Sequence, residues 1–279
     1  RTSEVNYENV YSLHGDAHYI INTTPLGMYP DCESCAAEIE KLPLLMGVTD
    51  AVYNPLKTRL CQQAEKKGIA NATGLYMLIC QAVLACEHFM GKTLETEKIA
   101  DEIYSEIIKE KRNIVLIGMP GSGKSTVGAA LARLSGREAV EIDALIAKKA
   151  GKTIPEIFER DGEDAFRRLE SDVLREESKE KAKIIITGGG AVTREENYPL
   201  VRQNGTIVRI TRPLDCLPTE GRPISQTTKL SALAARREPL YRAWADFTIE
   251  NTGTPEAAVQ ASGARVAPFE PYRDRHRSR

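Results

Sequence analysis

Residues 118–125 read GMPGSGKS, directly after an apolar run at 114–117 and at the head of a helical stretch at 124–135. This is the pattern GxxxxGK[ST] in its working context, and no other segment constrains the fold as much. Glycines at 118, 121 and 123 let backbone N–H groups turn inward on phosphate oxygens, and the strand-to-helix turn brings a helix N-terminus to the same point. Lys124 supplies charge to the β and γ phosphates, and the Ser125 hydroxyl can ligate Mg²⁺. Gly121, Ser122, Gly123, Lys124, Ser125 and Thr126 are the expected ATP-binding residues.

The pattern around the loop agrees with that context. Strands are expected at 114–117, 139–142, 184–187, 206–210 and 247–250, and helices at 124–135, 143–150, from 155 onward and at 163–181. Five strands separated by helices predict an α/β fold: a five-stranded parallel sheet covered on both faces, with ligands at the carboxyl ends of the strands. Upstream, runs at 19–22 and 48–53 read as strands and 56–67 as a helix. Residues 74–90 read as a helix burying Leu75, Leu78, Ile79, Ala82 and Cys86. Residues 96–112 are charged, with one stripe of Ile99, Ile103 and Ile107 or Ile108, and read as a connecting helix.

At 279 residues two domains are expected, with the front unit at 1–92, a helical linker at 93–112 and the phosphate-loop domain at 113–260. The tail at 261–279 has five Arg against two acidic residues and no periodicity, so it reads as a disordered end. A net charge of −1 argues against nucleic acid or an anionic membrane as partner, and no apolar run approaches the length of a membrane span. The first residues carry no secretory pattern and no initiator Met, which suggests that the chain begins partway through a longer one. Six cysteines in a chain of this size read as reduced cytoplasmic thiols. The single CxxC, Cys32 to Cys35, has no second ligand pair to make a zinc site.

Kinases of small molecules, GTPase switches and motor ATPases all use such a loop. A guanine switch would carry NKxD, which is absent, and a motor usually has a strand ending in an acidic residue where 184–187 runs into three glycines. A kinase remains. Glu141 and Asp143, two residues apart at the expected end of the second strand, can project together, one toward water around Mg²⁺ and the other toward an acceptor hydroxyl. Spacing alone also allows Asp143 to be a helix N-cap.

Residues 113 to about 259 resemble shikimate kinase: GMPGSGKST, EIDALIAKKAGKTIPEIFERDGEDAFRRLES, GGGAV, GRPIS and REPLYR stand in that family's order. The resemblance implies a P-loop kinase of the nucleoside-monophosphate-kinase type that uses ATP and Mg²⁺ to phosphorylate the 3-hydroxyl of shikimate. By resemblance Asp143 binds the acceptor hydroxyls and assists proton removal. Arg167, held by Glu170, and Arg237 grip the substrate carboxylate, Gly189 contacts the ring through its backbone, and Arg222 is the lid arginine that reaches the nucleotide phosphates. Lys124, Asp143 and Arg222 are thus the expected catalytic set. Glu141 stands where the family usually carries Asp, and the lid segment PLDCLPTEGRPIS is short. A gluconate-type kinase and a nucleotide-binding regulator without turnover are the alternatives.

The front segment resembles the C-terminal part of shikimate dehydrogenase, through INTTPLGMYP, DAVYNPLKTRLCQQAEKKG and ATGLYMLICQAVLACEHFMG. By resemblance Tyr53 and Gln81 face shikimate, Gly74 lies by the nicotinamide, and Arg1-Thr2 end a motif for the NADP 2′-phosphate. No GxGxxG precedes these motifs, so a partial Rossmann-like segment is expected, with poor NADP binding and no dehydrogenase turnover. A fusion of the two enzymes, with the missing N-terminal dehydrogenase part on a longer chain, would account for both halves.

Overall fold

The computed structural model describes residues 4–213 and 230–252. Arg1-Thr2, Cys216, the GRPIS segment with Arg222, and the 261–279 tail lie outside the described residues. The chain divides into two compact units, with the boundary between Ile107 and Ile108.

The first unit contains α1 (Val10–His14), β1 (Tyr19–Asn22), β2 (Gly47–Asp50), α2 (Arg59–Lys66), β3 (Ala70–Thr73) and α3 (Gly74–Met90), followed by α4 (Thr96–Lys111), within which the boundary falls. Its strands form a parallel sheet in the order β1-β2-β3. A core of Ile39, Leu42, Leu45, Val48, Leu60 and Cys61 joins β2 to α2. The expected strand 48–53 ends early, at Asp50. The buried Asp50 carboxylate accepts from Asn22 Nδ2 (2.9 Å), Val52 N–H (3.0 Å) and Thr58 Oγ1 (2.6 Å), which turns the chain out of the sheet and toward α2.

Two stripes differ from their expected positions. On α3 the buried large side chains are Leu75, Ile79 and Val83, one per turn, whereas Ala82 and Cys86 are exposed. On α4 Ala100 and Ile108 are buried and Ile103 is 39% exposed. Leu75, Ile79 and Ile108 are buried as expected; spacing alone cannot choose between adjacent apolar rows, and Val83 and Ala100 are buried where Ala82, Cys86 and Ile103 were expected.

The second unit holds β4 (Asn113–Ile117), α5 (Lys124–Ser135), β5 (Ala139–Glu141), α6 (Ile142–Ala150), α7 (Ile154–Arg160), α8 (Gly162–Glu177), β6 (Ile184–Ile186), α9 (Asn197–Arg202), β7 (Gly205–Thr211), α10 (Leu230–Trp244) and β8 (Phe247–Glu250). All five strands are parallel, in the order β5-β6-β4-β7-β8. The α/β fold with a five-stranded parallel sheet, expected from the sequence, is present.

Strand alternation divides the core. Val115, Ile117, Ile185 and Ile207 point to a layer shared with α6, α7, α8, α9 and α10. Ile114, Leu116, Ile184, Ile186, Val208 and Ile210 point to the opposite layer, against Val127, Ala130 and Leu131 of α5. Every residue of β4 is buried. A strand buried on both faces reads as an unbroken apolar run, as Ile114 to Ile117 does. Each large side chain removed from such a core costs about 2–5 kcal/mol, so β4 is a rigid base for the loop that leaves its carboxyl end.

Candidate active site

Because the strands are parallel, the segments that leave β4, β5, β6 and β7 meet at one edge of the sheet. There they surround a cleft of about 530 Å³. The phosphate loop forms one end. Gly118, Gly121 and Gly123 have φ of 144°, 85° and 93°, a region that side chains disfavour, so glycine is required at each. The buried Lys124 folds back over the loop, and its ammonium donates to the carbonyls of Gly118 (2.9 Å) and Met119 (3.0 Å). Gly121, Gly123, Lys124, Ser125 and Thr126 line the cleft, and Ser125 and Thr126 are exposed to it.

Ser122 is placed differently. It is fully buried, its N–H donates to the Met119 carbonyl (3.1 Å), and its own carbonyl accepts from Asn251 Nδ2 (2.9 Å). Its Oγ has no partner among the described residues. Ser122 therefore shapes the loop from within, and Asn251, which follows β8, is a support that the sequence did not point to.

The other end is built from α6, the triglycine after β6, α8 and α10. Glu141 and Asp143 both line the cleft, for a reason other than strand alternation. β5 stops at Glu141, which is the N-cap of α6, and Asp143 lies in the first helical turn. Neither reading of Asp143, strand tip or N-cap, holds. An acidic group in a first helical turn is favoured by the helix dipole.

The triglycine after β6 faces Asp143 and α8. A Cβ on Gly188 would lie 2.7 Å from Glu170 Oε1 and 2.8 Å from Asp143 Oδ1, and one on Gly190 would collide with the Arg167 guanidinium. These three side chains therefore pack directly on the glycine backbone, an approach open only to glycine. Arg167 Nη1 donates to Glu170 Oε2 (2.7 Å), with both residues buried, and Nη2 reaches the exposed Glu163 (3.2 Å). Burial pushes the Glu170 carboxyl above its usual range, against the pull of Arg167. Burial lowers the Arg167 guanidinium too, but the Glu170 and Glu163 carboxylates outweigh it and hold Arg167 above its ordinary value. Arg237, from α10, donates to the Gly189 carbonyl (3.0 Å), and burial lowers its pKa.

Two further kinds of residue escaped the sequence reading. Phe158 and Phe166, with ring centroids 4.7 Å apart, form an apolar wall beside the arginines, and the Arg167 guanidinium lies 5.1 Å from the Phe166 ring centre. Arg212, just past β7, lines the cleft as well. Its signal was available: a basic residue immediately after a strand of a parallel sheet points to the ligand edge. Tyr53, Gly74 and Gln81 belong to the other unit. Tyr53 is half exposed, Gln81 is exposed, and Gly74 is buried, with its Cα pressed on the Ala51 backbone.

The site suits a phosphate chain at one end, where a turn of positive-φ glycines and a buried ammonium line the cleft at the head of α5. It suits a small anion with hydroxyl groups at the other. Ser125 and Thr126 present exposed hydroxyls to the cleft, and Glu141 lines the same cleft, so oxygen donors of the kind a magnesium ion takes are present there. Among the described residues no group of three or more His, Cys, Asp or Glu could hold a metal without the nucleotide.

Such a division, phosphate cradle against charged acceptor wall on a parallel sheet, defines a P-loop kinase acting on small molecules. Residues 120–266 match the shikimate kinase family. The chain belongs to that family. It is 42% identical over 148 residues to the shikimate kinase of Nitrosomonas europaea, covering 50% of this chain and 70% of that protein. With the shikimate kinase of Acinetobacter baumannii strain AYE it shares 42% identity over 147 residues, 82% of that protein. The solved structure of a shikimate kinase from Acinetobacter baumannii in complex with shikimate is similar with a TM-score of 0.53 and 37% identity, covering 58% of this chain and 96% of that one.

Proposed function

We propose that this chain transfers the γ-phosphoryl group of ATP to the 3-hydroxyl of shikimate, with Mg²⁺, and that residues 113–260 carry the activity. The observation that supports it most is the joint placement of the Lys124 loop, Asp143 and the Arg167–Arg237 pair in one cleft. Shikimate is a small carboxylate with hydroxyl groups, and two guanidinium groups beside a triglycine match a carboxylate and a flat ring.

In this reading Arg167 and Arg237 orient the acid by its carboxylate. Asp143 accepts the hydroxyl hydrogen bond, aligns the oxygen for attack and takes its proton as the O–P bond forms. Lys124 and the N–H groups of the loop meet the charge on the phosphates. When bound through Ser125 and water held by Glu141, Mg²⁺ supplies further charge neutralisation. Arg222, outside the described residues, is assigned to the phosphates on the motif alone. Positioning and electrostatics of this kind carry most of phosphoryl transfer.

The front unit, residues 1–92, we read as the C-terminal part of a shikimate dehydrogenase, with 93–112 as its link to the kinase. Three parallel strands with helices support that reading, and Tyr53, Gly74 and Gln81 are its remnant of a site. Within these 279 residues no GxGxxG precedes the front-unit motifs, so this chain by itself is expected to bind NADP poorly. The five described cysteines are free thiols, which fits a cytoplasmic enzyme.

The test is ADP release with ATP, Mg²⁺ and shikimate, against gluconate and no acceptor. Shikimate-dependent release is expected, reduced at least 100-fold in kcat by Asp143→Asn while ATP binding is retained. Release with gluconate alone would move the assignment to another acid, and ATP binding without any transfer would make the chain a nucleotide-binding regulator.

A further inference from the structure

The carbonyl of Gly189 accepts two hydrogen bonds from α10. Arg237 Nη1 donates at 3.0 Å and the Tyr241 hydroxyl at 2.5 Å. A carbonyl oxygen has two lone pairs, so this one is fully used and has nothing left for a ligand. The other side of the peptide is different. A trans peptide is planar, so fixing the Gly189 carbonyl fixes the Gly190 N–H in the opposite direction. Among the described residues the Gly190 N–H has no acceptor, although the Gly190 carbonyl is taken by Thr193, through both N–H (2.9 Å) and Oγ1 (2.7 Å). Gly190 lines the cleft, packed on the Arg167 guanidinium.

We infer that Tyr241 is a positioning residue for the acceptor: with Arg237 it clamps the Gly189 carbonyl and so aims the Gly190 N–H at the acid that Arg167 and Arg237 hold. Tyr241 does not touch the cleft. It is 1% exposed and lies in the core layer with Val192, Leu200 and Trp244. A tyrosine there meets two needs at once, since its ring fills the core and its hydroxyl reaches a backbone oxygen that would otherwise depend on Arg237 alone. Arg237 has a second duty at the substrate, and the Tyr241 hydroxyl holds the peptide independently of it. This inference rests on shikimate as the acceptor.

The experiment compares the whole chain with its Tyr241→Phe variant, which keeps the ring and removes one hydroxyl. Both are assayed for KM of shikimate and of ATP. Shikimate binding without nucleotide is followed by fluorescence of Trp244, the single tryptophan, one turn further along α10. The variant is expected to raise KM for shikimate and the dissociation constant by about three- to tenfold, the range of one lost hydrogen bond, with KM for ATP within about twofold. A purely structural tyrosine would lower the active fraction, and hence kcat, without moving either KM. That result, an equal rise in both KM values, or an unchanged shikimate KM would overturn the inference. Wild-type chain that shows no shikimate-dependent turnover would instead remove the proposed function, and this inference with it.

Discussion

At the scale of single residues the site depends on how closely side chains approach backbone. Gly190 is the sharpest case. A methyl group there would collide with the Arg167 guanidinium, which cannot retreat without leaving Glu170, 2.7 Å away in a buried pair. Breaking such a pair by displacing one partner costs about 3–5 kcal/mol. Gly190→Ala is therefore expected to raise KM for shikimate more than tenfold while ATP binding, at the other end of the cleft, stays within about twofold. Calorimetric titration with each substrate checks it, and equal loss of both would show that the change spreads through the fold. The same scale shows what the sequence could reveal. Lys124 sits in a motif whose spacing carries its chemistry, so it was legible from the residues alone, whereas Arg167 and Arg237 were legible only through the resemblance of their motifs to shikimate kinase. Tyr241 and Asn251 act only through backbone carbonyls far away in sequence, at separations of 52 and 129 residues, and no local pattern announces such a contact.

Elements set those residues in place, and their ends matter more than their interiors. α7 carries Phe158 to the cleft wall and begins with a capping box: Thr153 Oγ1 accepts from the Glu156 N–H (3.4 Å), and the Glu156 carboxylate accepts from the Thr153 N–H (2.8 Å). Pro155 fits the first turn, where a missing N–H costs nothing. Thr153→Ala should lower stability by about 1 kcal/mol, read as a fall in the denaturant midpoint with unchanged slope, and should leave both KM values unmoved because Phe158 stays packed on Phe166. A changed shikimate KM would mean that the cap also fixes the wall. Element existence was legible where the apolar period was long, as in β4 and α5, whose bounds follow NIVLI and the caps at Gly123 and Gly136. β3, Ala-Asn-Ala-Thr, has weak strand propensity and exists through its parallel register with β2. Asp143 shows the cost of reading an element one residue too far: the strand gives way to helix at Ile142, and the carboxylate reaches the cleft from a helical turn.

On the scale of the whole molecule the two units have unequal claims to independence. The second has a sheet covered on both faces and a site assembled within its own boundaries. The first has three strands among the described residues, and its edge strand β1 leaves Tyr19 and Ile21 67% and 72% exposed. Apolar side chains on an unpaired strand edge are a template for association with other chains. A chain beginning at Thr96 would keep α4 whole, and with it the C-terminal carbonyls of Lys109 and Arg112 that Arg137 caps. It is expected to keep kcat and both KM values within about twofold, because every residue placed in the proposed reaction lies beyond the boundary. It should also stay monodisperse at concentrations where the 279-residue chain associates, since the exposed edge is gone. Light scattering and the ADP-release assay on the two chains read both effects. Loss of activity in the shorter chain would show that the front unit supports the kinase, and unchanged association in the shorter chain would show that the exposed strand is not its cause.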